Sequence, residues 1–188
     1  ADVTRKEVKR RAKQWRTRFA NAIRGLATPS TTTSLPSPVE AAELLIAHTG
    51  KGRSAPRQAM ARLVLGVGTD LDAFATQAQL AAHLPTPVTP ARATQVLASL
   101  QEGWADNPRT RDLLVRADFV VRERLHELGE VATVDELAGS LLETMTPRGM
   151  PYSRTEQDEQ RLVRGLLRAV IDRQRALVRA EAEDETWH

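Results

Sequence analysis

The feature that most constrains the fold is the stretch at residues 76–104, TQAQLAAHLPTPVTPARATQVLASLQEGW. Thr76 and Gln79 form a capping box, in which each side chain accepts a hydrogen bond from the backbone N–H of the other residue. Thr89 followed by Pro90 marks a second helix start, because proline has no N–H to lose at the first helical position. The stretch therefore predicts two helices joined by a short turn, the layout of a helix-turn-helix.

The two predicted helices have separate inner and outer faces. Apolar residues at three- and four-residue spacing form the inner faces: Leu80, Ala81, Leu84, Ala93, Val96, Leu97 and Leu100. The outer face of the second helix would carry Arg92, Thr94 and Gln95. Arg and Gln are residue types that read base edges in the major groove, so these three residues are the candidate DNA contacts.

A second interpretation of the same stretch stays open. Two amphipathic helices with a tight turn also occur in all-α domains that never contact DNA. The turn at residues 85–88, PTPV, lacks the glycine that is often present in the three- to four-residue turns of DNA readers. The pair could therefore be architecture only.

Composition favours an all-α fold. Hydrophobic residues make up 41% of the chain and aromatic residues only 4%, so Leu, Val and Ala must build the core. No Asn-Gly or Asp-Gly hairpin turn is present, and we expect at most a short β-wing, with residues 147–152 as the candidate loop. There is no cysteine, no long apolar run and no signal peptide, so we expect a cytoplasmic protein without a membrane span. The first residue, Ala1, and the charged last helix favour an excised piece of a longer protein, although removal of an initiator Met would also explain the first residue.

Residues 4–26 predict a basic amphipathic helix. Trp15 and Phe19 lie on its apolar stripe, and Lys and Arg occupy the opposite face. Such a helix can contact nucleic acid, a membrane surface or an acidic partner, or it can simply be a solvated face packed through its aromatic residues. If it contacts DNA, the phosphate-binding residues would be Lys9, Arg10, Lys13 and Arg16.

The chain is predicted to have four parts. The basic helix at 1–26 is followed by a Ser/Thr/Pro linker at 27–37, which is either plainly flexible or a phosphorylated tract. A helical domain with the helix-turn-helix-like pair follows at 38–108, and a second helical module with a long last helix at 109–188. Further capping boxes at Ser37-Glu40, Thr133-Glu136 and Ser153-Glu156 mark helix starts, and the two modules look like tandem trihelical units.

No catalytic or cofactor site is predicted. The four histidines lack metal-ligand spacing, and no nucleophile elbow, phosphate loop or kinase signature is present. The carboxylates fall at caps and on helix surfaces. We therefore expect a chain that is not an enzyme and that holds neither cofactor nor metal.

Two runs resemble a known family. The segment at residues 52–108 and the run LGEVATVDELAGSLLETM at 128–145 are similar to the helical region downstream of the kinase domain in PglW-type serine/threonine kinases of bacterial phage defence (the phage growth limitation, or type 2 BREX, systems). The first set of matching residues is Thr76, Gln77, Ala78, Leu80, Ala81, Leu84, Val96 and Trp104. The second set is Gly129, Val131, Thr133, Glu136, Leu137 and Ala138. The departure is the turn at 85–88, where the family has a Leu-Gly type turn.

The resemblance implies a non-catalytic module of a larger kinase that works with a methyltransferase, an ATPase and a phosphatase-like protein. Such a module would bind double-stranded DNA or dock onto a partner protein. Two alternatives stand beside it: a free-standing helix-turn-helix transcription regulator, and a purely structural protein-interaction domain.

Overall fold

The computed structural model describes residues 35–50, 54–145 and 156–185, without the side chains of 156 and 180–185. Within these ranges the chain is all-α and contains no strand. The helices are α1 (Pro38–Ala47), α2 (Ala55–Val64), α3 (Gln77–His83), α4 (Pro90–Asp106), α5 (Pro108–Glu127), α6 (Val134–Met145) and α7 (Glu156–Glu185). The predicted all-α class is confirmed, and these seven helices are called the helical body below.

The helix starts follow the capping chemistry written in the sequence. The boxes at Ser37 and Thr76 are both complete, with the hydroxyl accepting from the third helical amide and the Glu40 or Gln79 side chain accepting from the cap N–H. Thr133 and Glu136 make the same pair of bonds before α6. Each box satisfies two backbone donors that would otherwise lack a partner. The fourth predicted box, at 153–156, lies outside the described residues.

One buried cluster runs through the helical body. Leu, Val and Ala supply most of it, as the composition predicts, and Trp104 is its largest fully buried side chain. The predicted inner faces of α3 and α4 are buried throughout. Two helical glycines let neighbouring backbone approach closely: a Cβ on Gly165 of α7 would lie 2.5 Å from Leu65 Cα, just after α2, and one on Gly103 of α4 would lie 2.8 Å from Gly50 Cα, in the turn after α1.

The apolar spacing of the last helix predicts an inward face made of Leu162, Leu166, Val170, Leu177 and Val178. This prediction is right for the first half of α7 and wrong for the second. Leu162, Leu166 and Val170 are buried, whereas Leu177 is 38% exposed and Val178 is 61% exposed. Apolar periodicity extends along the whole helix, but the helix continues past the residues against which it packs. Periodicity alone does not show where a partner surface ends.

Several predictions concern residues that the structure does not describe. They include the basic helix at 4–26, most of the linker at 27–37 and the candidate wing at 147–152. Leu35, near the end of the predicted linker, is buried in the core. The division into modules at 38–108 and 109–188 stays a prediction.

Candidate functional site

The helix-turn-helix-like pair consists of α3, a turn at residues 84–89 and α4. Thr89 Oγ1 accepts a hydrogen bond from Arg92 N at 3.2 Å, which starts α4 as predicted. Val88 N donates to the Ala81 carbonyl oxygen at 3.3 Å, so the turn is tied back onto α3. Ala81 and Ala93 are both buried, as expected of small residues where two helices cross.

The three candidate base contacts are all exposed on α4, and each already has a hydrogen-bond partner. Arg92 Nη1 donates to Gln95 Oε1 at 3.0 Å. Thr94 Oγ1 lies 2.7 Å from Gln77 Oε1 of α3 and 2.9 Å from the carbonyl oxygen of Pro90. A base edge would have to compete with these bonds, each of which is worth about 1 kcal/mol.

The charge of the exposed residues of α3 and α4 does not favour binding of a polyanion such as DNA. Across α3 and α4, from residue 77 to 106, Arg92 is the only Lys or Arg. Glu102 and Asp106 lie exposed further along α4. DNA-binding surfaces gain most of their affinity from Lys and Arg contacts with phosphates. The pair therefore lacks the electrostatic surface on which DNA affinity depends.

The basic and acidic residues of the chain are separated along the sequence. Residues 1–34 contain nine Lys and Arg against two Asp and Glu, a formal charge of +7. The described residues contain fourteen arginines, no lysine and 22 Asp and Glu, a formal charge of −8. Lys9, Arg10, Lys13 and Arg16 lie outside the described residues. A count by segment finds this division, which the overall charge of +3 conceals.

Two arginines of α7, Arg161 and Arg168, hold the loop before α3 in place, which was not predicted from the sequence. Arg161 Nη1 donates to the Thr69 carbonyl oxygen at 3.1 Å. Arg168, which is buried, donates to the carbonyl oxygens of Ala73 and Ala75. These bonds fix the loop that enters α3. The arginines therefore have a structural role, which depends on contacts more than 90 residues apart that periodicity cannot reveal.

A groove of about 500 Å³ lies between α5 and α6. Phe119, which is 52% exposed, lies along it together with Val120 and Gly139. The charged lining residues are five carboxylates and one guanidinium: Glu123, Glu127, Asp135, Glu136, Glu143 and Arg124. The groove is therefore acidic with an apolar strip, and sequence analysis did not single it out.

Two of these carboxylates have partners that fix them. Arg124 Nη1 lies 3.0 Å from Glu127 Oε2, and Arg164 Nη1 of α7 lies 2.6 Å from Asp135 Oδ1. Glu136 is engaged in the α6 cap, and the hydrogen bond from the Thr133 backbone lowers the pKa of its carboxyl group. Glu136 is therefore ionised at neutral pH, which keeps the groove negative.

The described residues bring together no group of three or more His, Cys, Asp or Glu that could hold a metal ion. None of the helices in these ranges is long and apolar enough to cross a membrane. Comparison with protein-family models, curated proteins and solved structures finds no match to this chain.

Proposed function

We propose that this chain is a non-catalytic protein-docking module, in which α3 and α4 serve as architecture and not as a DNA reader. The observation that carries the proposal is the exposed face of α4, where the single Arg92 is hydrogen-bonded to Gln95 and is followed by carboxylates. The formal charge of −8 over the described residues supports it, because like charge repels a nucleic acid. Protein partners tolerate or require such acidic surfaces.

The biological setting of the proposal comes from the resemblance alone. It would place the module in a cytoplasmic PglW-type phage-defence kinase, with the methyltransferase, the ATPase and the phosphatase-like protein as candidate partners. The direct experiment mixes the purified chain with each purified candidate and measures the mass of the eluted species by size-exclusion chromatography with light scattering. We expect a stoichiometric complex with at least one of them. The absence of a complex with any of them would contradict the proposal, and base-specific DNA binding through α4 would contradict it independently.

A second candidate function is nucleic-acid contact through the basic segment. The nine Lys and Arg within residues 1–34 favour it, because phosphate contacts need only clustered cations. Binding of this kind would be salt-sensitive and indifferent to base sequence. It is compatible with protein docking by the helical body, since it uses a different part of the chain.

A further inference from the structure

We infer that the groove between α5 and α6 is the docking site for a basic amphipathic helix of a partner protein. This inference rests on the proposed docking function and adds the place and the chemistry of the partner. It is carried by the shape of the groove, by its apolar strip and by the charge of its rim.

The apolar strip provides an anchor point. Phe119 is one of the few large hydrophobic side chains that the described residues leave exposed, and it lines the groove. On α6, a Cβ built on Gly139 meets no atom within 4 Å, so the groove is open at this position. A large apolar side chain from a partner could enter there and cover the ring. Buried aromatic contacts of this kind dominate interface energies.

The rim determines the charge of the partner. Glu123 and Glu143 lie on opposite sides of the groove, and neither has an ion-pair partner among the described residues. The lining has five carboxylates and one guanidinium, and Arg164 of α7 pairs with Asp135, so the local formal charge is −3. Lys and Arg flanking an apolar anchor would complement this charge, whereas a nucleic acid or an acidic peptide would be repelled.

The spacing favours a helical partner. Phe119, Glu123 and Glu127 follow each other at four-residue intervals on α5, so they form one stripe about 12 Å long. A helix lying in a groove presents its anchors at similar three- and four-residue intervals. The stripe therefore matches two turns of a bound helix.

The experiment uses the full chain and a labelled 18-residue synthetic peptide with Leu at helical spacing and Lys elsewhere. Fluorescence anisotropy is measured at two salt concentrations, with a scrambled peptide of the same composition as the probe control. We expect the scrambled peptide to bind at least about tenfold more weakly. Equal binding of the two peptides would overturn the inference, because charge alone would then explain the affinity.

Variants locate the binding site. Phe119→Ala and Gly139→Leu should each weaken binding about tenfold, and Glu123→Gln with Glu143→Gln should weaken it and reduce its salt dependence. The matched controls are Val178→Ala, an exposed apolar residue outside the groove, and Glu102→Gln with Asp106→Asn on α4. Groove variants that bind like the controls would overturn the inference. A wild-type dimer that Phe119→Ala dissociates would also overturn it, since a second copy would then occupy the groove.

The same variants separate this inference from the proposed function. If Phe119→Ala and Gly139→Leu leave the complex with the partner protein intact, the groove inference fails while the docking function stands. If the wild-type chain forms no complex with any candidate protein, the docking function itself fails, whatever the peptide does.

Discussion

Trp104 Nε1 of α4 donates a buried hydrogen bond of 2.8 Å to the Leu45 carbonyl oxygen of α1. The bond satisfies the indole N–H inside the core and joins two residues that are 59 positions apart in sequence. Trp104→Phe should lower the free energy of unfolding by about 2 kcal/mol, because the carbonyl loses its partner and a small cavity forms. Urea unfolding followed by circular dichroism measures this. A loss below about 0.5 kcal/mol would show that the bond does not hold α4 against α1.

The contact between Gly165 and Leu65 predicts a position that tolerates no side chain. Gly165→Ala would place a Cβ 2.5 Å from Leu65 Cα, so backbone must move and the chain should lose about 2–3 kcal/mol of stability. Gly139→Ala is the matched control, since its Cβ meets no atom within 4 Å. It should gain about 0.5–1 kcal/mol from helix propensity. Equal effects of the two substitutions would contradict the close approach of α7 to the α2 end.

The capping boxes predict a specific loss of stability in acid. The cap hydrogen bonds from the Ser37 and Thr133 backbones lower the pKa values of Glu40 and Glu136 below their usual 4.5. The contribution of the two ionised carboxylates to the free energy of unfolding is therefore complete above pH 4.5. It is lost as the pH falls through the lowered pKa values.

Replacement of both residues by Gln isolates this effect, because Gln accepts the same bonds without titrating, as Gln79 does before α3. The free energy of unfolding of Glu40→Gln with Glu136→Gln should fall less between pH 7 and pH 3 than that of the wild type. If the free energies of unfolding of the variant and the wild type fall in parallel, protonation of Glu40 and Glu136 does not contribute to the loss of stability.

The charge division predicts where any nucleic-acid affinity resides. Lys9→Glu, Arg10→Glu and Lys13→Glu together change the charge of residues 1–34 by six units, so salt-sensitive DNA binding should weaken at least about a hundredfold. Glu102→Gln with Asp106→Asn, which makes α4 less acidic, serves as the comparison. If the triple variant binds DNA as tightly as the wild type, residues 1–34 do not provide the phosphate contacts.

The sequence contains the local structure of this chain but not its long-range contacts. Capping boxes at Ser37, Thr76 and Thr133 and apolar spacing predict the helix starts and the α3–α4 pair, because these signals act within a few residues. Arg168 and the groove beside Phe119 could not be predicted in this way. Both depend on which helices pack together, and no local pattern encodes that.

The same limit explains the candidate contacts on α4. Position on an exposed face predicts that Arg92, Thr94 and Gln95 reach solvent, and they do. The hydrogen bonds between them and to α3 depend on side-chain geometry that a list of residue types does not contain.

The central claim is that α3 and α4 form architecture and do not read DNA. Its most direct test is a titration of labelled duplex DNA followed by fluorescence anisotropy at two salt concentrations. The DNA is titrated with the wild-type chain and, separately, with the double variant that combines Arg92→Ala and Gln95→Ala. We predict that the two binding curves coincide at both salt concentrations, whatever affinity the basic segment provides. A tenfold or greater loss in the double variant, on one duplex sequence but not on another, would contradict the claim and identify α4 as a recognition helix.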